Sequence, residues 1–197
     1  MLDELAAGKV YLLGHSYGGF VAQYYAAHRP DRVAGLVLYE SSPVTGEEQG
    51  AESVRLLQEF VARNDGNPEL PAVLGALQSV GSITDDEQLT VALRGLLPAY
   101  FAHWWERESE FTSFREHTRV EYVAGELVQD RELLAKISVP TLVIGGRYDV
   151  ICGERWAREI HDLVPGSRLV ILEESGHMGH VEEPQRFNAA VLGFVTA

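Results

Sequence analysis

Val10-Tyr11-Leu12-Leu13-Gly14-His15-Ser16-Tyr17-Gly18-Gly19 is the stretch on which the reading of this chain turns. Val10–Leu13 is a short apolar run ending at a glycine, the pattern of a buried strand. From Tyr17 to His28 the residues favour a helix, which Arg29-Pro30-Asp31 stops. Between the two, Gly14-His15-Ser16-Tyr17-Gly18 fits G-x-S-x-G. In that context the serine sits on a sharp strand-to-helix turn and stands at the strand's C-terminal end. Small residues at Gly14 and Gly18 are expected to let strand and helix approach without a Cβ clash. The helix N-terminus beside Ser16 favours a developing anion.

Working outward, Val33–Tyr39 reads as a second buried strand. Strand, helix and strand with short joints imply a parallel pair with a crossover helix. After Pro43 no buried strand appears until about Asp130. Helical spacing shows in Ser53–Arg63 (Val54, Leu57, Val61) and in Asp85–Leu97 (Leu89, Leu93, Leu96). Aromatic residues gather at Tyr100, Phe101, Trp104, Trp105, Phe111, Phe114 and Tyr122. Residues 44–130 therefore read as a mainly helical insertion. After Pro140 the sheet pattern resumes, with strands Thr141–Ile144 and Arg168–Leu172 and helices Glu154–Leu163 and Pro184–Val195. The fold class is α/β, a mostly parallel sheet with flanking helices. Residues 1–43 and 131–197 form its core, and the helical insertion lies between them.

Ser16 alone is a weak nucleophile. It needs an imidazole to take its proton and an acid to orient that imidazole. His177 lies on a short loop after the strand Arg168–Leu172. Asp149 lies just beyond the strand Thr141–Ile144. Both are at C-terminal strand ends, where the sites of open α/β sheets gather. His180 is the rival base, and a helix cap near Glu154 is the plainer role for Asp149. His15, inside the turn, is expected to point away from the chemistry. Trp104 and Trp105 would offer an apolar wall to substrate, although core packing is the plainer role for the aromatic cluster. Glu106, with Glu108 and Glu110, would hold a free amine, although a solvated helix face explains them as well. A metal reading through His177, His180 and Glu182 or Glu183 is the weakest, so no metal and no cofactor is expected. Cys152 is close to Asp149, but the serine already fills the nucleophile's place.

Sixteen Lys and Arg against 29 Asp and Glu give a net charge of −13. The acids are dispersed, which reads as a solvated surface that repels phosphate backbones and anionic membranes. No nucleic-acid partner and no membrane span are expected, and the partner is a small acyl substrate. The single cysteine excludes an intrachain disulfide and is compatible with a cytoplasmic location.

Taken together, Leu12-Leu13-Gly14-His15-Ser16-Tyr17-Gly18-Gly19, Pro30-Asp31-Arg32-Val33, Gly146-Arg147-Tyr148-Asp149 and Glu174-Ser175-Gly176-His177 resemble landmarks of the α/β-hydrolase superfamily. The detail resembles its branch of proline iminopeptidases and small esterases. The resemblance implies a catalytic triad of Ser16, Asp149 and His177 in the family's chain order. It also implies a cap over 44–130 and an oxyanion donor in the backbone N–H of Tyr17. It implies hydrolysis of small carboxylic esters, with an iminopeptidase-type aminopeptidase or a catalytically weak remnant as alternatives.

One departure stands out. The family carries further strands before the nucleophile strand, with a His-Gly loop that gives a second oxyanion donor. Here the nucleophile strand begins near residue 10. The expectation is a truncated α/β-hydrolase fold or a fragment. Losing one oxyanion donor costs ~3–4 kcal/mol of transition-state stabilisation. The bare apolar edge at Val10–Leu13 would be covered by a second copy of the chain in a homodimer or larger assembly. A fold-back of Met1–Gly8 as a helix is the alternative cover.

Overall fold

The computed structural model describes residues 8–121 and 131–197. Tyr122, the end of the predicted insertion and nearly all of the Met1–Gly8 fold-back lie outside them. Four strands form one sheet: β1 (Val10–His15), β2 (Val33–Tyr39), β3 (Thr141–Gly146) and β4 (Arg168–Leu172). They stand in the order β1-β2-β3-β4, and every neighbouring pair is parallel. Helix α1 (Tyr17–His28) is the crossover between β1 and β2, as the strand–helix–strand pattern required.

The apolar runs alternate faces, as pleating demands. Leu36 and Leu38 of β2, Val143 of β3 and Ile171 of β4 pack on one side with Ala22 and Ala26 of α1. Helix α7 (Glu154–Leu163) adds Ala157 and Ile160 to that layer. Val37, Tyr39, Leu142, Ile144 and Leu172 face the other side, against Phe194 of α9 (Pro184–Val195). With both faces covered, β2 and β3 are buried nearly throughout, which is why their sequences read as continuous apolar runs.

β1 differs. It is the edge strand, and its Tyr11 and Leu13 are each 48% exposed. Helix α1 is apolar on both sides: Phe20, Ala22 and Ala26 are buried, while Tyr17, Val21 and Tyr24 are more than half exposed along one stripe.

Between β2 and β3 the chain forms α2 (Glu47–Arg63), α3 (Leu70–Ser79), α4 (Asp86–Tyr100), α5 (Glu108–His117) and the short α6 (Arg131–Leu134). Three of these, α3, α5 and the short α6, were not read from the sequence. Leu70–Ser79 contains Pro71 and Gly75, residues that read as loop, but Pro71 sits in the first turn, where its missing N–H costs nothing. Glu108–His117 is mostly polar and buries only Phe111, so no apolar period marks it. Glu48 of α2 accepts from Arg131 of α6 and from Arg155 of α7, tying this helical region to the sheet layers.

At the strand-to-helix turn the steric demand falls on Gly14 and Gly19. A Cβ on Gly14 would lie 2.4 Å from the Gly18 carbonyl oxygen and 2.8 Å from the Ala22 Cβ. A Cβ on Gly19 would lie 2.4 Å from the Ser41 Oγ. A Cβ on Gly18 would meet nothing within 4 Å, so the expected role of Gly18 passes to Gly19. Gly14→Ala should therefore lower unfolding stability by ~1–3 kcal/mol through overpacking. Gly18→Ala, in an open helical position, should be neutral or stabilise by up to ~1 kcal/mol. Urea melts of the two variants check this, and equal losses would refute the steric reading.

Candidate active site

Parallel strands end together, and all four C-terminal ends feed one site. At the end of β1, Ser16 takes a left-handed backbone, φ 52° and ψ −119°. Its N–H still donates to the Tyr39 carbonyl at 3.0 Å, and its own carbonyl accepts from the Gly19 N–H at 2.9 Å. The kink is thus held by the sheet on one side and by the first turn of α1 on the other. A non-glycine residue holds such a conformation only when its surroundings enforce it, and such strain clusters at functional sites. Tyr17 opens α1, so its N–H is among the donors with no partner inside the helix.

The end of β2 carries a second left-handed residue. Glu40 has φ 46° and is fully buried. Its N–H donates to the Ile144 carbonyl at 2.8 Å. Its Oε1 accepts from the Gly179 N–H at 3.3 Å, and its Oε2 lies 3.2 Å from the His15 Nε2. Tyr39 is hydrogen-bonded to it as well. Burial, reinforced by the negative charge of Asp149, pushes the Glu40 carboxyl well above the usual carboxylate range.

After β3, the Arg147 and Tyr148 N–H groups donate to the Leu172 and Ser175 carbonyls, both at 2.9 Å, which stitches the acid loop to the base loop. Gly146 is required there, since a Cβ would lie 2.0 Å from the Gly176 carbonyl oxygen. Asp149 is fully buried. Its Oδ1 accepts from the Ile151 and Cys152 N–H groups at 2.7 and 2.9 Å. Its Oδ2 pairs with the His177 Nδ1 at 2.8 Å. A carboxylate there fixes the proton on Nδ1 and leaves Nε2 as the basic atom.

His177, 3% exposed, is held on every side. Its N–H donates to the Tyr100 carbonyl at 2.6 Å, and the Tyr100 ring meets its imidazole edge-on at 5.4 Å. Its carbonyl accepts from the His15 Nε2 at 2.9 Å. Glu182, in α8 (Gly179–Glu182), accepts from the Gly176 N–H at 2.7 Å and from the Ala102 N–H at 2.6 Å, so one carboxyl joins the base loop to the end of α4. Burial outweighs these two donors and raises the Glu182 pKa to about 7.

Among the described residues, the Ser16 hydroxyl forms no hydrogen bond to His177. Catalytic contacts of this kind often tighten only when substrate binds. The remaining expected residues lie as follows. His15 does not point away. Its ring stacks 4.6 Å from Tyr39 and lies 4.8 Å from the His177 ring. His180, the rival base, is instead bonded to the Tyr39 hydroxyl at 3.1 Å. Trp104 is 1% exposed and packs with Phe101 and Phe111. Trp105 stacks on Phe60 and reaches Glu69 at 3.3 Å. Glu106 is exposed, and Glu110 pairs with Arg107 at 2.9 Å. Cys152 is buried, and that burial raises its thiol pKa, which disfavours a thiolate.

For metal binding, Glu182 is committed to the two backbone N–H groups above, and Glu183 to the Glu174 N–H and the Ser175 hydroxyl. The ligand-type atoms that do converge, within 4.8 Å of one another, belong to His15, Glu40 and His177. An ion among them would occupy the base. Sequence reasoning missed Glu40, Tyr100 and Glu182 because their roles rest on contacts spanning tens of residues. The charge of Glu40, directly after the apolar strand Val33–Tyr39, was the one available signal.

The sequence profile of the alpha/beta hydrolase fold family matches residues 1–184, and the chain belongs to that family. It is 29% identical over 204 residues to the proline iminopeptidase of Saccharolobus solfataricus, covering 95% of this chain and 62% of that protein. It is 27% identical over 194 residues to the pimeloyl-[acyl-carrier protein] methyl ester esterase of Neisseria meningitidis, covering 93% of this chain and 68% of that one. A solved structure of a hydrolase from Pseudomonas aeruginosa PA01 matches with a TM-score of 0.70 at 29% identity, over 100% of this chain and 68% of that one. The chain spans between 58% and 69% of the length of the curated relatives it matches. These three similar proteins are hydrolases, and among the described residues no helix is long and apolar enough to cross a membrane.

Burial, and next the nearby His177, lower the His15 pKa to about 4 from an ordinary 6.5. Between those values the unfolded chain binds the extra proton and the folded chain does not. This contribution to stability is complete above about pH 6.5 and is lost as pH falls toward 4. At ~1.4 kcal/mol per unit it amounts to ~3 kcal/mol at most. His15→Asn should flatten the slope of stability against pH over that window. Urea melts at pH 7.5, 6 and 5 read it, and parallel curves for the two proteins would refute a neutral buried His15.

Proposed function

We propose that the protein is a serine hydrolase that cleaves small carboxylic esters through an acyl-enzyme. The observation that carries this is the buried His177–Asp149 hydrogen bond beside a left-handed Ser16 at the head of a helix. In the proposed cycle the Ser16 Oγ adds to the ester carbonyl carbon as its proton passes to the His177 Nε2. Asp149 stabilises the resulting imidazolium, and the Tyr17 N–H receives the oxyanion. The imidazolium gives its proton to the departing alkoxide, leaving the acyl group on Ser16. Water, deprotonated by His177, then releases the acid and restores the serine. The helices between β2 and β3 act as a cap over this centre.

An ester is the less demanding substrate for such a site, because an alkoxide leaves more readily than an amine. The similarity to a proline iminopeptidase keeps amide cleavage as the second reading. Its amine-binding acids find little support, since Glu106 is exposed and Glu110 is paired with Arg107. p-Nitrophenyl butyrate should be turned over faster than proline p-nitroanilide.

A fluorophosphonate should add one adduct, mapping to Ser16. Ser16→Ala and His177→Ala should each lower turnover at least ~10³-fold, while His180→Ala stays within ~10-fold. Intact-mass analysis and ester kinetics measure these. An adduct on another serine, or the reverse ranking of the two histidines, would overturn the assignment.

We further propose a homodimer or larger assembly closed through β1 and the exposed stripe of α1, and a cytoplasmic location in keeping with one free buried cysteine. Light scattering at micromolar concentration should give at least twice the monomer mass of 21.8 kDa. A monodisperse monomer with a cooperative thermal transition would remove the assembly.

A further inference from the structure

A cavity of about 240 Å³ lies among α2, α3, α4 and the loop after Asp149. Its mouth is marked by Val54 and Val80, 57% and 41% exposed. Its floor is formed by Ala99 and Val150, 2% and 4% exposed, with Tyr100 beside them and Leu93 on the wall. Among the described residues, no Asp, Glu, Lys, Arg or His lines it. Its one aliphatic hydroxyl, Ser53, is already donated to the Ile151 carbonyl at 3.1 Å. Packed interiors leave few voids larger than a water molecule, and this one holds about eight water volumes at ~30 Å³ each.

The cavity shares its walls with the machinery described above. Val150 and Ile151 directly follow Asp149, and the Ile151 N–H is one of the two donors to its Oδ1. Tyr100, on the floor, presents its ring to His177 and its carbonyl to the His177 N–H. The floor therefore abuts the acid–base pair. A charged group entering this space would lose its water and find no partner, so a free carboxylate or an amine is disfavoured there. An aliphatic chain would gain about three- to fourfold in binding for each methylene buried.

We propose that this cavity is the acyl subsite, and that it takes an uncharged, unbranched aliphatic chain of roughly six to eight carbons. The proposal rests on the serine-hydrolase reading and names the substrate class for it. Tyr100, which lines the cavity and touches the His177 ring, is the residue common to the cavity and the triad.

The test is the kcat/KM series for p-nitrophenyl acetate, butyrate, hexanoate, octanoate and decanoate. For the wild-type chain the value should climb about threefold or more per added methylene and level off near eight carbons. Leu93→Trp, which fills the cavity, should lower the octanoate-to-acetate ratio at least ~10-fold. Val54→Trp at the exposed mouth should act in the same direction, and it carries the test if the interior variant does not fold. Val91→Trp, on the same helix but outside the cavity and 63% exposed, should keep the wild-type ratio. A ratio unchanged in the filled variants, with Ser16 still labelled by a fluorophosphonate, would overturn the subsite and leave the hydrolase reading standing. A folded wild-type protein that neither turns over an ester nor labels at Ser16 would overturn both.

Discussion

Parallel pairing from β1 to β4 is the constraint from which the site follows. Four strands that run the same way end at the same edge, and each must hand the chain to a turn there. Those turns carry Ser16, Glu40, Asp149 and His177, residues scattered over most of the sequence. The ladder itself reaches into the turns. The Ser16 N–H bonds to the end of β2, and the Glu40 N–H bonds to the end of β3. Two left-handed residues on adjacent strands are thus held by the pairing that precedes them.

Three buried carboxyl groups crowd this edge, and their surroundings separate their roles. Asp149 has two backbone donors and an imidazole within 2.9 Å. Glu40, also fully buried and near the charge of Asp149, is held toward its neutral form, the better arrangement for two acids sharing one pocket. Glu182 spans the base loop and the end of α4 and titrates near neutrality. Through Glu182 and Tyr100 the end of α4 is tied to the Gly176–His177 backbone.

The helical region and the sheet edge express the same economy differently. Between β2 and β3 an apolar cluster from α2, α3 and α4 packs against Val150 and Ile151, so the region is anchored on the acid loop itself. At the opposite end of the sheet order, Tyr11 and Leu13 of β1 and the stripe on α1 offer apolar surface that the described part of the chain leaves half exposed. One surface is closed by the chain's own helices. The other is the apolar outer side of an edge strand and its crossover helix.

The sequence by itself determined the local elements and nominated the residues of the candidate site. Apolar runs marked β1 to β4, prolines and glycines marked their ends, and the strand-end rule picked out Ser16, Asp149 and His177 before any contact was known. Those signals are short in range: a strand's period, a turn's glycine, a helix's first residue. What only the tertiary structure decided were the contacts across the chain. It turned His15 inward toward His177, set Glu40 behind both, gave His180 to Tyr39 and used Trp104 for packing. These outcomes depend on which side chains meet across separations of up to 162 residues. Burial then fixes their charge, because a carboxyl or imidazole takes its protonation state from the dielectric and the partners around it. No local pattern in the sequence encodes that environment.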